Sequence, residues 1–193
     1  DQNVIVELTK VENDETRSAN FTLKADVTVR VYAMGEKNNS RRQMADFGWI
    51  SSARTREKGW TMDADRTEHA GGAEKNCLID EIIPLAKGSY TVFYQTDDSH
   101  AYNDWNSSPP FDPEHWGITI YGEGPGFSMN LVERNATVAE TDVIAQITRA
   151  GNSVNIAKPF TLDKSTRVRI YAIGEGQNRA MYDYGWIEDA RSG

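Results

Sequence analysis

A single cysteine, Cys77, is all that this chain of 193 residues has. No intrachain disulfide and no cysteine-built zinc cluster can therefore hold it together. Cationic side chains are short in number: 21 Lys and Arg against 29 Asp and Glu give a formal net charge of -8. A general nucleic-acid binder needs a basic face to meet phosphates, and an anionic membrane surface attracts the same charge, so neither partner is expected. Long hydrophobic runs are missing too. No stretch approaches the roughly 20 apolar residues of a spanning helix, so no membrane insertion is expected. The common catalytic signatures are also absent. There is no Gly-x-Ser-x-Gly nucleophile elbow and no His-Glu-x-x-His zinc helix. The Gly71-Gly72 pair runs into Ala73-Glu74-Lys75-Asn76, which lacks the second glycine and the Lys-Ser/Thr of a phosphate loop.

What the chain does have is a folded composition, 38% hydrophobic and 26% charged, and a long internal repeat. Val4-Ile5-Val6-Glu7-Leu8-Thr9-Lys10 resembles Val143-Ile144-Ala145-Gln146-Ile147-Thr148-Arg149. Phe21-Thr22-Leu23 returns as Phe160-Thr161-Leu162. Val29-Arg30-Val31-Tyr32-Ala33-Met34-Gly35-Glu36 returns as Val168-Arg169-Ile170-Tyr171-Ala172-Ile173-Gly174-Glu175. After a two-residue deletion, Met44-Ala45-Asp46-Phe47-Gly48-Trp49-Ile50 matches Met181-Tyr182-Asp183-Tyr184-Gly185-Trp186-Ile187. The offset, Val4 to Val143, is too long for a solenoid unit and marks a tandem domain. Residues 1–142 read as one complete repeat, and 143–193 as a partial second one equivalent to 4–54. The chain opens at Asp1-Gln2-Asn3 without a Met, as a processed or excised segment would.

Strand signals dominate. Val27, Val29, Val31 and Ala33 alternate with outward-pointing Arg30 and Tyr32. Gly88–Thr96, Trp116–Tyr121, Val4–Lys10, Phe21–Leu23 and Leu78–Leu85 follow as strands, with Pro84 marking an edge or a strand end. Short helical turns are expected over Met44–Arg56 and Asn135–Asp142. Strands joined by long polar loops predict an all-β fold, an antiparallel β-sandwich of jelly-roll-like form with few short helical turns. Arg30 with Glu36, and Arg169 with Glu175, read as a repeated structural pair.

Leu85-Ala86-Lys87-Gly88-Ser89-Tyr90-Thr91-Val92 has the form "hydrophobic, small, x, Gly, x, Tyr, x, hydrophobic". In this, and in the Phe-Thr-Leu turn leading to a Val-rich strand, the chain resembles bacterial pre-peptidase C-terminal domains. These are jelly-roll-like sandwiches attached to secreted enzymes. The resemblance covers about half of one repeat and implies the fold. The family's Asp-x-Asp strand is replaced here by Arg30-Val31-Tyr32-Ala33-Met34-Gly35-Glu36, and the insert from Ala101 to His115 is an addition, so calcium or collagen binding does not carry over.

Three groups of residues could carry chemistry. Asp97, Asp98 and Asp104 supply hard oxygens of the type Ca²⁺ takes, and calcium is the one cofactor expected; equally, such residues form Asx turns in a long loop. Trp105, Trp116 and Tyr102, with Asn103 and His100, would stack a sugar ring and bond its hydroxyls; equally, they would pin the insert to the sandwich. His69, His100 and His115 could gather a divalent metal in a hydrolase, although no spacing brings them together. The leading expectation is a non-catalytic, extracellular or cell-surface module of a tandem-repeat protein, for binding, spacing or self-assembly. The alternatives are a carbohydrate-binding module and a metal-dependent hydrolase. Expected partners are a glycan or protein ligand and further copies of the chain. Residues 143–193 are expected to be paired, within the chain or in an oligomer or filament, with Trp186 mostly buried.

Overall fold

The computed structural model describes residues 3–38, 43–52, 58–135, 144–147, 150–166, 168, 170, 172, 174–177 and 180–190. The chain divides into two compact units, Asp1–Val154 and Asn155–Gly193.

The first unit contains β1 (Val4–Thr9), β2 (Thr16–Leu23), β3 (Val27–Asn38), β4 (Gln43–Met44), β5 (Phe47–Ser52), β6 (Lys58–Thr61), β7 (Glu68–His69), β8 (Asn76–Leu85), β9 (Gly88–Gln95), β10 (Gly117–Glu123) and β11 (Val132–Asn135). Single 3-10 turns sit at Ala64–Arg66, Pro113–His115 and Met129–Leu131. Two antiparallel sheets result. One runs β1-β10-β3-β8-β7, with β4 paired to the end of β3; the other runs β11-β2-β9-β5-β6. Setting aside the short β4, β7 and β11, the remaining strands pair in nested order. The first meets the last (β1 with β10), and β2 meets β9, β3 meets β8, and β5 meets β6. A long hairpin of nested pairs rolled into two sheets is a jelly roll.

Alternation sets which face of β3 is covered. Val29, Val31 and Ala33 are fully buried and Val27 nearly so. On the opposite face Arg30 makes two bonds of 2.6 Å to the Asp80 carboxylate of β8 and lies over the rings of Tyr32 and Tyr121. Both partners of that ion pair are about two-fifths exposed, which limits it to about 1 kcal/mol or less. Arg30 therefore pairs with Asp80, and Glu36 with Lys75, rather than with each other. Burial carries the stability: Phe21, Leu23, Val29, Val31, Ile50, Ile118 and Ile120 lose all exposure between the sheets, each worth roughly 1.5–3 kcal/mol against leaving it in water. Pro84 lies where β8 is an edge, because β7 covers only Cys77 and Leu78. Its missing N–H forfeits no ladder bond there.

The helical turn expected over Met44–Arg56 is corrected for the described part, where Phe47–Ser52 is strand β5; residues 53–56 lie outside the described residues. Gly48 and Ile50 face the core, where a Cβ on Gly48 would come within 2.9 Å of Ile118. Trp49 faces the other way and stacks on Phe93 at 5.0 Å. With both faces covered, the segment has no alternation to read. Of the turn expected at Asn135–Asp142, only Asn135 is described, as the end of β11; the remainder lies outside the described residues.

The second unit repeats one local feature of the first. Strands β12 (Gly176–Gln177) and β13 (Ala180–Met181) pair Gly176 with Met181 and Gln177 with Ala180. Their counterparts Lys37–Met44 and Asn38–Gln43 pair in the same register. The amides of Tyr182 and Asp183 donate to the Glu175 carbonyl at 2.8 and 3.2 Å, as those of Ala45 and Asp46 do to Glu36 at the same distances. A Cβ on Gly174 would lie 1.9 Å from the Asp183 carbonyl oxygen, and one on Gly35 2.1 Å from that of Asp46. Only glycine permits this crossing, and both copies have it. The core positions differ. Phe160, Leu162, Val168, Ile170 and Ile187 are exposed, and Trp186 is 61% exposed where its counterpart Trp49 is 4%. The expected burial of Trp186 is not present in the single chain.

Val31→Asp is expected to cost about 3–5 kcal/mol in urea unfolding, as an uncompensated buried charge does. Thr28→Asp, on the opposite face of the same strand, should stay within about 0.5 kcal/mol. Equal costs for the two variants would contradict the assigned faces.

Candidate functional site

In or against the insert between β9 and β10 lie Asp46, Asn76 and His100, three of the five buried polar residues among the described ones. The insert starts as β9 leaves the sheet at Gln95 and is tied down at once. The Thr96 amide donates to the Glu15 carbonyl at 2.9 Å, and its hydroxyl to the Glu12 carbonyl at 2.6 Å. The Ala101 amide donates to Asn13 Oδ1 at 3.0 Å, while Asn13 Nδ2 donates to Asp104 Oδ2 at 2.8 Å. One asparagine of the β1–β2 loop thus spans the insert.

Beneath lies a small second core. Trp116 is fully buried, with Met34 and Ala101 beside it. Trp105 meets it edge-on with ring centres 5.0 Å apart, and His100 meets both rings edge-on at 5.1 and 5.8 Å. The Trp116 Nε1–H donates to Asp46 Oδ2 at 3.2 Å, and the Asp97 amide donates to Asp46 Oδ1 at 2.9 Å. Asp46 has no exposed surface. Burial pushes its carboxyl up to about 8, against the pull of the Asp97 N–H. His100 is likewise buried, with φ +61° and Nε2 2.6 Å from Asn76 Oδ1. Both protons of the Asn76 amide go to carbonyls, those of Gly71 at 2.8 Å and Ser108 at 3.0 Å. Asn76 therefore turns its oxygen to His100, and the imidazole proton sits on Nε2. Burial first, and the Lys75 ammonium second, lower the His100 pKa to about 4.

At the rim, Glu36 Oε1 pairs with Lys75 Nζ at 3.0 Å, and Lys75 donates to Asn106 Oδ1 at 2.7 Å. Glu36 Oε2 is buried without a hydrogen-bond partner. Burial raises the Glu36 pKa more than the Lys75 contact lowers it. One carboxylate oxygen from each of Glu36, Asp46 and Asp97 lies within 4.8 Å of the other two.

The expected site residues distribute as follows. Of the calcium trio, only Asp97 joins that cluster; its Oδ1 also accepts from the Ser99 amide at 3.0 Å, an Asx turn. Asp98 is exposed, and Asp104 bonds Asn13. Of the aromatic platform, Trp116 offers no face to a ligand: it is the pin. Trp105 and Tyr102 are half-buried and Asn103, at φ +66°, is exposed. The Tyr102 hydroxyl donates to Glu114 Oε1 at 2.9 Å, and Glu114 is also ion-paired with Lys10. The three histidines do not converge. His69 Nε2 lies 3.1 Å from the Ala73 carbonyl, His100 faces Asn76, and His115 Nδ1 lies 2.9 Å from Asp112. Cys77 is buried, and burial pushes its thiol up to about 12, which makes it a poor nucleophile. Sequence reasoning missed Asp46, Asn76 and the Glu36–Lys75 pair. The recurrence of Asp46 as Asp183, inside the repeated motif, was the available signal.

Compared with models of protein families, the chain matches none, and comparison with curated proteins gives no match.

Asp46 and His100 make opposite contributions to pH dependence. Folded, Asp46 holds its proton up to about 8, whereas unfolded it releases it near 4. The folded state therefore binds more protons in that window, and rising pH lowers stability. Folded His100 stays neutral down to about 4, whereas unfolded it is half protonated near 6.5, so its contribution rises with pH and is nearly complete by about 7.5. Between about pH 7 and 8 Asp46 dominates the two. The urea midpoint should fall across that window in the native chain and stay level in Asp46→Asn; parallel profiles would remove Asp46 as the cause.

Proposed function

We propose that the protein is a non-catalytic β-sandwich module of a tandem-repeat protein, working extracellularly or at a cell surface, and that it binds its ligand with the insert joining β9 to β10. The observation that carries this is the way the insert is fastened. Trp116 on Asp46, His100 on Asn76 and Asp97 on Asp46 hold it from within, while Tyr102, Asn103 and Trp105 reach its outer side. A loop anchored in this way keeps its shape when free and loses little entropy on binding. The resemblance to pre-peptidase C-terminal domains supports the same reading; the segment that carries it, Leu85–Val92, is the turn from β8 into β9.

The ligand class best matched is a glycan. Tyr102 and Trp105 offer ring surface, and Asn103, Asp104 and Glu114 offer hydrogen-bonding groups around it. Trp116 contributes by holding Trp105. A glycan array probed with the native chain should give a signal that Tyr102→Ala and Trp105→Ala each reduce at least about tenfold, the effect of losing roughly 1.4 kcal/mol of contact. Tyr102→Ala should leave the melting temperature unchanged. An array without signal, or a signal indifferent to both variants, would sink the glycan reading.

Calcium is a second reading, favoured by the oxygens of Glu36, Asp46 and Asp97 lying together. Lys75 already compensates Glu36, so any site would be weak. Millimolar Ca²⁺ should raise the melting temperature by mass action, and Asp97→Asn should remove that response. A native melting curve indifferent to the ion would end this reading.

A further inference from the structure

We propose that Lys75 and Asn106 join their side chains in an amide bond, formed within the folded chain with Glu36 as the proton carrier. This goes beyond the ligand reading and does not depend on it.

Three side chains meet at the root of the insert. Lys75 Nζ lies 2.7 Å from Asn106 Oδ1 and 3.0 Å from Glu36 Oε1. A carbonyl bond is about 1.23 Å long, so the Asn106 Cγ is no more than about 3.9 Å from that nitrogen. Bound groups react at roughly 3–3.5 Å, a small rotation away. The backbones on either side are fastened to each other. The Ala73 amide and Asn76 Nδ2 both donate to the Ser108 carbonyl, at 3.1 and 3.0 Å. The Lys37 amide donates to the Lys75 carbonyl at 2.9 Å, and Glu36 stands opposite Asn76 in the ladder of β3 and β8. Residues distant in sequence are thus held together before any bond forms, which removes the entropy of their encounter from the barrier.

The pair beside the amide is largely out of water. The Lys75 side chain keeps 24% of its exposure and that of Glu36 12%, and Glu36 Oε2 is buried without a hydrogen-bond partner. Moving one proton from Nζ to Glu36 replaces two poorly hydrated charges by a neutral amine and a carboxylic acid. Only the neutral amine has the lone pair that attacks Cγ. In the tetrahedral adduct, Glu36 gives its proton to Nδ2 and takes one from Nζ, and the Cγ–Nδ2 bond breaks. One carbon–nitrogen bond forms, one breaks, and ammonia leaves; no oxidant or cofactor enters. Asn106 is exposed, which lets the ammonia escape and makes the step irreversible in dilute solution. The product ties the segment before β8 to the insert. In a chain with a single cysteine, it does what an intrachain disulfide cannot do.

The probe is the intact mass of the 193-residue chain, held folded overnight at neutral pH. The mass should fall below that of the sequence by one ammonia, and a protease digest should contain a branched peptide joining Lys75 to Asn106. Lys75→Arg, which keeps the charge beside Glu36, should give its full sequence mass. Asn106→Ala and Glu36→Gln should do the same, each with the native circular dichroism spectrum. A native chain of full sequence mass would overturn the proposal. So would a loss of ammonia that persists in Lys75→Arg, the mark of a succinimide at an asparagine. Loss of water in place of ammonia would also overturn it, because the amine would then have joined a carboxyl group.

Discussion

Pairing of the early strands β1, β2, β3 and β5 with the late strands β6, β8, β9 and β10 is the constraint on which the rest of the molecule depends. Leu8 lies opposite Ile118, and Val29 opposite Ile83. The entropy of closing such long loops is recovered only when both sheets assemble and the valines and isoleucines between them leave water. The same order places the late strands β9 and β10 in the middle of the two sheets. The insert that joins them therefore springs from the centre of the sandwich's end rather than from an edge. Whatever fixes that insert has to reach into the core, and Asp46, His100 and Trp116 do so.

These anchors are polar where the rest of the interior is aliphatic, and that choice has consequences. A buried carboxyl or imidazole left without partners costs about 1–3 kcal/mol or more. Each group here accepts or donates in one arrangement only. Asp46 takes one N–H on each oxygen, and Asn76 spends both of its amide protons on carbonyls and its oxygen on His100. Apolar packing of equal volume would hold the insert as firmly, but would tolerate a shift of one residue. The bonded arrangement does not tolerate it, because a shift strands a buried acceptor. The cluster thus fixes which side chains the insert presents outward, Tyr102 and Asn103 among them.

Much of this architecture was legible where one face of a strand meets water. Val27 to Ala33 alternate because Arg30 and Tyr32 are wet, and the phase read from them is the phase found. Phe47–Ser52 was illegible for the opposite reason: Trp49 is covered by Phe93 on the outer face while Ile50 is covered by the core. Strands as short as Lys58–Thr61 and Val132–Asn135 carry too few residues to show any period. At the candidate site, the aromatic residues of the insert stand out in the sequence as a group. Their division into pin and surface was not legible, since composition gives Trp105 and Trp116 the same chemistry and only β10 places one of them under the other. Asp46 was hidden because an acidic residue beside a strand normally faces solvent. Its burial depends on donors from Asp97 and Trp116, distant in sequence.

The glycine crossing shared by Gly35 with Asp46 and by Gly174 with Asp183 forms in both copies, between residues close in sequence. This hairpin is therefore available early, while the ladders are not. On a ribosome the chain would emerge with its early half holding only local turns until Glu123 is clear. At elongation rates of roughly 5–20 residues per second, residues 143–193 would follow within about 15 seconds. Two nearly interchangeable early halves would then both be presented to the late strands of 58–135, and a late strand captured by the wrong half would join two repeats into one misassembled sandwich. Sequence divergence between the copies, such as Met34 against Ile173 or Phe47 against Tyr184, would act as a kinetic label that keeps each half with its own.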